Sequence, residues 1–377
     1  MHILLMQLYS PHPTPDYDQI AFGLREHGNT VWIGTPNVDG AIEWYDGDRI
    51  VAAQRTDRAI ASGRKARLDL FRQVRSFVRE VRPDIVQINS YNLFRLTPLG
   101  MPRPPRFIFD LRQINEFQGS TFAGKIEARL RNHSRHYDPR YIFDRTTFLH
   151  EAGARQVLGD DWRRWATVVP MGVDPQFLAA ERTGISAADG DRPVEFIYSG
   201  RLNHIRKLER IIEAADRVRQ HSEQFRITFM GYDETNGYYT GLIQQSNLEH
   251  LVHIRPPVPY DEVPNTLLDY DVALAYVPET PLDWQYHPTL KVLEYSALGL
   301  PIIATDFEPN RDLVEQGVNG LLVPNSVGDI AQAMLRFIQD PAFLARCRVN
   351  AEAKRGGVTW DQVSLQYMEL YHQLMEK

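Results

Sequence analysis

A chain of 377 residues with a single cysteine, Cys347, cannot form an internal disulfide. That absence excludes a disulfide-stapled secreted scaffold and fits a reducing cytosol. Cys347 reads as an ordinary small side chain. Long apolar runs are missing too. The first, from Ile3 to Met6, is too short for a signal sequence and has no basic segment before it. No stretch approaches the roughly 20 apolar residues of a membrane span. A cytoplasmic protein is expected, attached at most to a membrane surface. No dense basic stripe is interleaved with aromatics, so nucleic acid is not an expected partner.

What is present reads as globular: 43% hydrophobic and 24% charged residues. The length suits two domains of about 100–200 residues each. Charge is uneven. Residues 1–170 hold 24 Lys and Arg against 19 Asp and Glu, or +5, and the remainder holds 18 against 29, or −11, which together give the net −6. A basic first half points to an anionic acceptor or lipid phosphates; a solvated arginine-rich face is the alternative.

Short apolar runs alternate with amphipathic stretches. Strands are predicted at His2–Leu8, Thr30–Ile33, Asp84–Ile88, Arg106–Asp110 and Ala166–Val169, with helices at Asp18–His27 and Arg67–Val81. Residues 39–64 and 113–140 are weakly periodic, so this half is expected to be less regular. Glu181–Arg192, polar and rich in Ala, Gly and Asp, reads as a linker. The pattern then restarts, with strands at Val194–Tyr198, Phe225–Met230, Val252–Ile254, Val272–Tyr276, Pro301–Ala304 and Gly320–Val323, and helices between them. This βα alternation predicts an α/β chain of two doubly wound parallel sheets. Ligands of such sheets bind outside the carboxyl ends of the strands.

Two constellations carry chemistry. The first is Tyr198-Ser-Gly200-Arg201-Leu202 with Arg206-Lys207 and a following helix. Gly200 permits a tight turn. Arg201, Arg206 and Lys207 gather positive charge where a helix start adds free N–H groups and its dipole, which suits a phosphate. The second is His287-Pro288-Thr289-Leu290-Lys291-Val-Leu-Glu294-Tyr295. Pro288 suits a first helical turn. Lys291 and Glu294, three apart, share a face; one could neutralise a phosphate and the other accept ribose hydroxyls. From spacing alone, a solvated basic loop and a surface Lys–Glu pair remain open.

These motifs, in order with Gly299-Leu-Pro301 and Glu315-x-Gly317-x-Asn-Gly320-Leu-Leu-Val323-Pro, and preceded by Val169-Pro-x-Gly-Val-Asp174, resemble the family 4 glycosyltransferases. The Pro-x-x-Lys-x-x-Glu-Tyr stretch resembles a subset of that family. The resemblance implies a GT-B fold: two facing Rossmann-like domains with an interdomain cleft. Residues 1–172 would form the acceptor-side domain, with a last helix at about 360–377 packing back on it, and 173–359 the nucleotide-sugar donor domain. It implies a UDP- or GDP-sugar donor, retention of anomeric configuration, and no permanently bound cofactor or required metal. It also implies a glycan or lipid-linked acceptor, with possible contact with the inner membrane surface. Carried over by residue, Arg201 and Arg206 would hold the donor diphosphate, Arg206 standing where the family usually has Lys. Gly200, Lys207, Thr289, Leu290 and Lys291 would line the donor site, and Glu294 would hold the ribose.

The sequence also departs from the family. Tyr286 stands where a second Glu is common. Ser10-Pro-His-Pro-Thr-Pro15 replaces a glycine-rich loop, Gln87-Ile-Asn89 replaces His-x-His, and Arg112 stands where a further family His appears. Asp110 and Arg112, at a strand end, are catalytic candidates, with a buried ion pair as the alternative. His12 and His287 are looser candidates. Trp162, Trp165, Tyr238 and Tyr239 read as packing. A non-catalytic nucleotide-sugar-binding protein and a sugar-nucleotide epimerase are the rival functions.

Overall fold

The computed structural model describes residues 1–7, 15–36, 42–46, 49–54, 64–89, 97–101, 105–112, 114, 122–182, 192–279 and 282–376. His12 with most of the Ser10–Pro15 loop, and most of the linker expected over Glu181–Arg192, lie outside these. The chain divides into two compact units, Met1–Gly172 with Val358–Lys377, and Val173–Gly357.

The first unit contains β1 (His2–Met6), α1 (Pro15–Glu26), β2 (Thr30–Pro36), β3 (Ile42–Asp46), β4 (Arg49–Gln54), α2 (Arg64–Val81), β5 (Ile85–Ile88), β6 (Arg106–Leu111), α3 (Phe122–Tyr141), β7 (Arg145–Phe148), α4 (Glu151–Leu158) and β8 (Ala166–Val168). The strands form one sheet in the order β4-β3-β2-β1-β5-β6-β7-β8. Six run parallel, and β3–β4 add an antiparallel hairpin at one edge. In register, Leu4 lies between Trp32 and Val86. The central strand β1 is apolar and buried from Ile3 to Met6, as a parallel strand covered on both faces must be.

The second unit contains α5 (Pro175–Ala179), β9 (Val194–Ser199), α6 (Glu209–Arg219), β10 (Phe225–Met230), α7 (Tyr238–Gln245), β11 (Val252–Arg255), α8 (Val263–Leu268), β12 (Val272–Ala275), α9 (Leu290–Ala297), β13 (Ile302–Thr305), α10 (Glu308–Arg311), β14 (Gly320–Val323), α11 (Val327–Gln339) and α12 (Pro341–Ala353). Its sheet is parallel throughout, in the order β11-β10-β9-β12-β13-β14. Cys347 is buried in the core of this unit.

The last helix, α13 (Trp360–Met375), belongs to the first unit. Thr359 caps it in a reciprocal box with Gln362, satisfying two otherwise orphaned donors. Its face of Val363, Tyr367, Leu370, Tyr371 and Leu374 joins Ile3, Leu5, Tyr17, Ile20 and Leu24 in one core. Each such side chain stabilises the unit by roughly 1.5–3 kcal/mol on full burial.

Two weakly periodic stretches of the first half are ordered, contrary to the expectation of irregularity. Ile42–Asp46 and Arg49–Gln54 form the antiparallel β3–β4 pair, and α3 is a 20-residue helix. The sequence pattern does not mark this helix because its apolar residues do not fall on the buried side: Ile126, Leu130, Tyr137 and Tyr141 are exposed. The short strand β7 was also missed, since Arg145-Thr-Thr-Phe148 is mostly polar although its two threonines are buried.

Candidate functional site

In the second unit, β9 runs into Gly200, whose φ of 143° is open to glycine and hardly to other residues. There β9 and β10 close on each other. Gly200 N–H donates to Met230 O at 2.9 Å, and Leu202 N–H to Tyr232 O at 2.9 Å. A Cβ on Gly231 would lie 1.8 Å from Gly200 O, so Gly231 is not replaceable without moving backbone, and Gly200 is kept as glycine by its φ.

Below Gly200 lies Lys291. A Cβ at position 200 would sit 3.6 Å from its Cε and 3.8 Å from its Nζ. Lys291 is 7% exposed, and its ammonium lies 4.7 Å from the centre of the Tyr198 ring. It makes no hydrogen bond or ion pair among the described residues. Burial first, then repulsion from Arg206, hold its pKa well below the ordinary lysine value, with Glu294 only partly opposing them. The half-buried Glu294, one helical turn on, likewise accepts no hydrogen bond among the described residues. Burial pushes its pKa up to about 7; Lys291 pulls it down and Asp174 adds to the rise.

Arg206 ends a short 3-10 turn, and its backbone N–H donates to Asn203 Oδ1 at 3.2 Å. Its guanidinium stacks 4.3 Å over the ring of Trp284, and its Nη1 is buried without a partner among the described residues. Thr289 Oγ1, at the N-cap of α9, and Tyr198 OH are also buried and unpartnered among the described residues. The Thr289 side chain does not cap its own helix, which leaves first-turn N–H groups of α9 free. Tyr198 has its hydroxyl pKa pushed up to about 12, chiefly by burial.

The structure thus brings Gly200, Arg206, Lys291, Glu294 and Thr289 together and adds Tyr198, Trp284 and Asp174. The sequence placed Tyr198 and Asp174 inside its motifs without giving them a role. Nothing in the local sequence marked Trp284. Arg201 is turned outward, 73% exposed, and paired with Glu234 at 3.1 Å. Lys207 adopts a left-handed conformation, φ 49°, that turns the chain into α6. Leu290 opens α9 with an exposed side chain. Tyr239 is buried and its hydroxyl donates to Asn203 O at 2.9 Å, with Tyr238 beside His204. His287 contacts the carbonyl of Pro288.

Asp110 and Arg112 lie in the first unit. Asp110 is 1% exposed, and both its oxygens are occupied. Oδ1 accepts from Thr147 at 2.8 Å and Tyr367 at 3.3 Å; Oδ2 accepts from Tyr17 at 2.6 Å, Arg112 at 2.8 Å and Gln87 at 3.1 Å. Arg112 continues to Asp16 at 2.9 Å. Burial alone would lower the Arg112 pKa, but Asp110, Tyr367 and Asp16 outweigh it and hold the group charged. Tyr371 OH closes the network on Gln87 Oε1 at 2.7 Å. Trp162 is buried, and Trp165 is stacked by Arg140 and Arg164. Among the described residues, no group of three or more His, Cys, Asp or Glu could hold a metal ion.

Residues 185–354 match the family model described as glycosyl transferases group 1. Over 238 residues the chain is 27% identical to WcaL of Salmonella typhimurium, described as a colanic acid biosynthesis glycosyltransferase. That match covers 60% of this chain and 56% of WcaL, so the chain spans about half the length of this curated relative. Among solved structures, sucrose-phosphate synthase from Thermosynechococcus elongatus superposes with a TM-score of 0.71 at 18% identity, covering 100% of this chain and 99% of that one. HepE of Anabaena, in complex with UDP-glucose, gives 0.68 at 16% identity, covering 99% and 100%. At these identities the likeness is one of fold, and the fold is the α/β GT-B type.

Proposed function

We propose that the protein is a glycosyltransferase that moves a sugar from a UDP- or GDP-sugar to a glycan or lipid-linked acceptor with retention of anomeric configuration and without a metal. One observation carries this reading. Around Gly200 an ammonium, a guanidinium N–H, two hydroxyls and a carboxyl are buried or half-buried with no hydrogen-bond partner among the described residues. Unpaired polar groups are costly to bury, and a ligand that pairs them recovers that cost. The set is cationic on one side and carboxylic on the other, which fits a diphosphate next to a ribose. The family match over this unit, and the UDP-glucose complex of HepE, support a nucleotide-sugar donor. The colanic acid relative supports a surface polysaccharide as the product.

In this reading Arg206, Lys291 and the first turn of α9 hold the diphosphate, with Gly200 giving its backbone close approach. Lys207 and Leu290 border the site. Arg201 leaves Glu234, an exposed pairing of small worth, to reach the diphosphate. Glu294 accepts from the ribose hydroxyls. Transfer breaks the bond between the anomeric carbon and the diphosphate oxygen and forms one to the acceptor oxygen, whose hydroxyl proton passes to the departing diphosphate. The leaving diphosphate gains negative charge. Cationic groups fixed beforehand stabilise that charge more in the transition state than in the ground state. For Asp110 and Arg112, whose hydrogen-bonding capacity is turned inward, we propose a positioning role that fixes β6 and the last helix, in place of contact with the sugar.

The test is a panel of UDP, GDP and their sugars read by thermal shift. A ligand at 100 times its dissociation constant adds about 2.7 kcal/mol. The shift is expected with one nucleotide series, lost in Arg206→Ala and reduced in Arg201→Ala. Equal shifts in both variants and the wild type would remove the proposed diphosphate site.

A further inference from the structure

The helix α3 is seated on the fold the wrong way round for a water-facing helix. Its buried side chains include Ala128, Asp138 and Pro139, while Ile126 is 45% exposed, Leu130 60%, Tyr137 44% and Tyr141 68%. His133, also exposed, completes the row. Spacings of four, three, four and four residues hold these five side chains within about 80° of arc, on a helix that turns about 100° per residue. Their rings run in file, with His133 5.8 Å from Tyr137 and Tyr137 4.6 Å from Tyr141. Exposed apolar residues scattered singly need no explanation, but a continuous stripe about four turns long does.

Charge gives the stripe a direction. α3 carries Lys125, Arg129, Arg131, Arg135 and Arg140 against Glu127 and Asp138, which is +3 in a chain of net charge −6. Lys125 and Arg129 are exposed, lie within about a quarter turn of the stripe on one side, and pair with no carboxylate among the described residues. Arg140 stacks on Trp165 beside the far end.

We propose that α3 is an interfacial helix that docks the protein on an anionic lipid bilayer. It lies along the surface with Ile126, Leu130, Tyr137 and Tyr141 at the boundary of headgroups and acyl chains, and Lys125 and Arg129 against lipid phosphates. Tyrosine suits that boundary because its ring is apolar and its hydroxyl stays wet. A stripe one side chain wide on a single helix offers no groove, and a specific protein interface needs about 800 Å² per partner. A bilayer accepts a narrow convex stripe. This deepens the proposed meeting with a membrane-borne acceptor and rests on that reading for its purpose, though not for the binding itself.

The test uses the full chain and sedimentation with vesicles of phosphatidylcholine, with and without phosphatidylglycerol. Binding to the anionic vesicles alone is expected, falling as salt screens the phosphates. Leu130→Ser with Tyr137→Ser should lower partitioning at least tenfold. Arg129→Ala should lower it about fivefold, the equivalent of about 1 kcal/mol for one basic residue at an anionic surface. All three positions are exposed, and a melting curve recorded alongside shows the fold retained. A polarity-sensitive dye reports depth. Cys347 is buried, so Leu130→Cys takes the label, and Val349→Cys, 69% exposed in the second unit, serves as the control. The dye should brighten at 130 and stay unchanged at 349. The proposal is overturned if neutral vesicles bind equally, if neither vesicle binds, if the variants sediment as the wild type, or if Leu130→Cys cross-links two copies of the chain. Nucleotide shifts measured on the same samples keep the two readings apart, since a lost vesicle interaction with an intact shift leaves the donor site standing.

Discussion

At the scale of single residues, the site around Gly200 holds charges that the ligand-free fold does not need. Lys291 ordinarily titrates at 10.5, and in the fold burial and Arg206 hold it well below that. The unfolded chain therefore binds more protons there, and Lys291 makes stability rise with pH up to its ordinary value. Lys291→Met is expected to raise the melting temperature of the ligand-free protein at neutral pH and abolish any nucleotide-induced shift. Loss of melting temperature in that variant would mean that the amine stabilises the fold, contrary to the geometry. Glu294 acts in the opposite sense. Its ordinary value of 4.5 is raised to about 7, so its contribution is fully present below about pH 4.5 and is lost as pH rises through about 7. Melting curves of wild type and Glu294→Gln across that window should differ by this decline, which is absent from the variant. Calorimetry in buffers of different ionisation heat should show proton uptake on diphosphate binding, because an anion beside Lys291 opposes the burial and the Arg206 repulsion that lower its pKa.

At the scale of elements, the ends of β9 and β10 approach too closely for any side chain. Gly231→Ala places a methyl 1.8 Å from Gly200 O, so the strand ends must part. Its nucleotide shift should vanish together with several degrees of melting temperature. Gly241→Ala, in α7 with nothing within 4 Å of the added Cβ, is the matched control and should gain about 0.5–1 kcal/mol. The parallel strands other than β7 were legible in the sequence because they are buried on both faces and read as apolar runs, as in Ile3-Leu-Leu-Met6 and Val272-Ala-Leu-Ala275. The β3–β4 hairpin and α3 were not, because one is an edge addition and the other exposes its apolar residues. Pattern reading assumes that apolar means inside, and α3 breaks that assumption.

At the scale of the whole molecule, the first unit is closed by residues from both ends of the chain. Asp110 gathers donors from Tyr17, Gln87, Arg112, Thr147 and Tyr367, which lie in α1, β5, the end of β6, β7 and α13. Asp110→Ala leaves Arg112 buried with half its compensation and should cost about 3–5 kcal/mol. If the role is positioning, thermal unfolding should show the loss in the first unit while the nucleotide shift of the second persists. A stable Asp110→Ala protein lacking only transfer activity would instead return Asp110 to the catalytic role its strand-end place suggested. By itself, the sequence determined the two βα patterns and the paired motifs at Gly200 and Lys291. These depend on periodicity and on neighbours a few residues apart. Only the tertiary structure decided that Lys291 is buried beneath Gly200, that Arg206 rests on Trp284 while Arg201 faces outward, and that Asp110 is enclosed by Tyr367. Burial and pairing are set by residues up to 344 positions away, and no local pattern encodes which of them will meet.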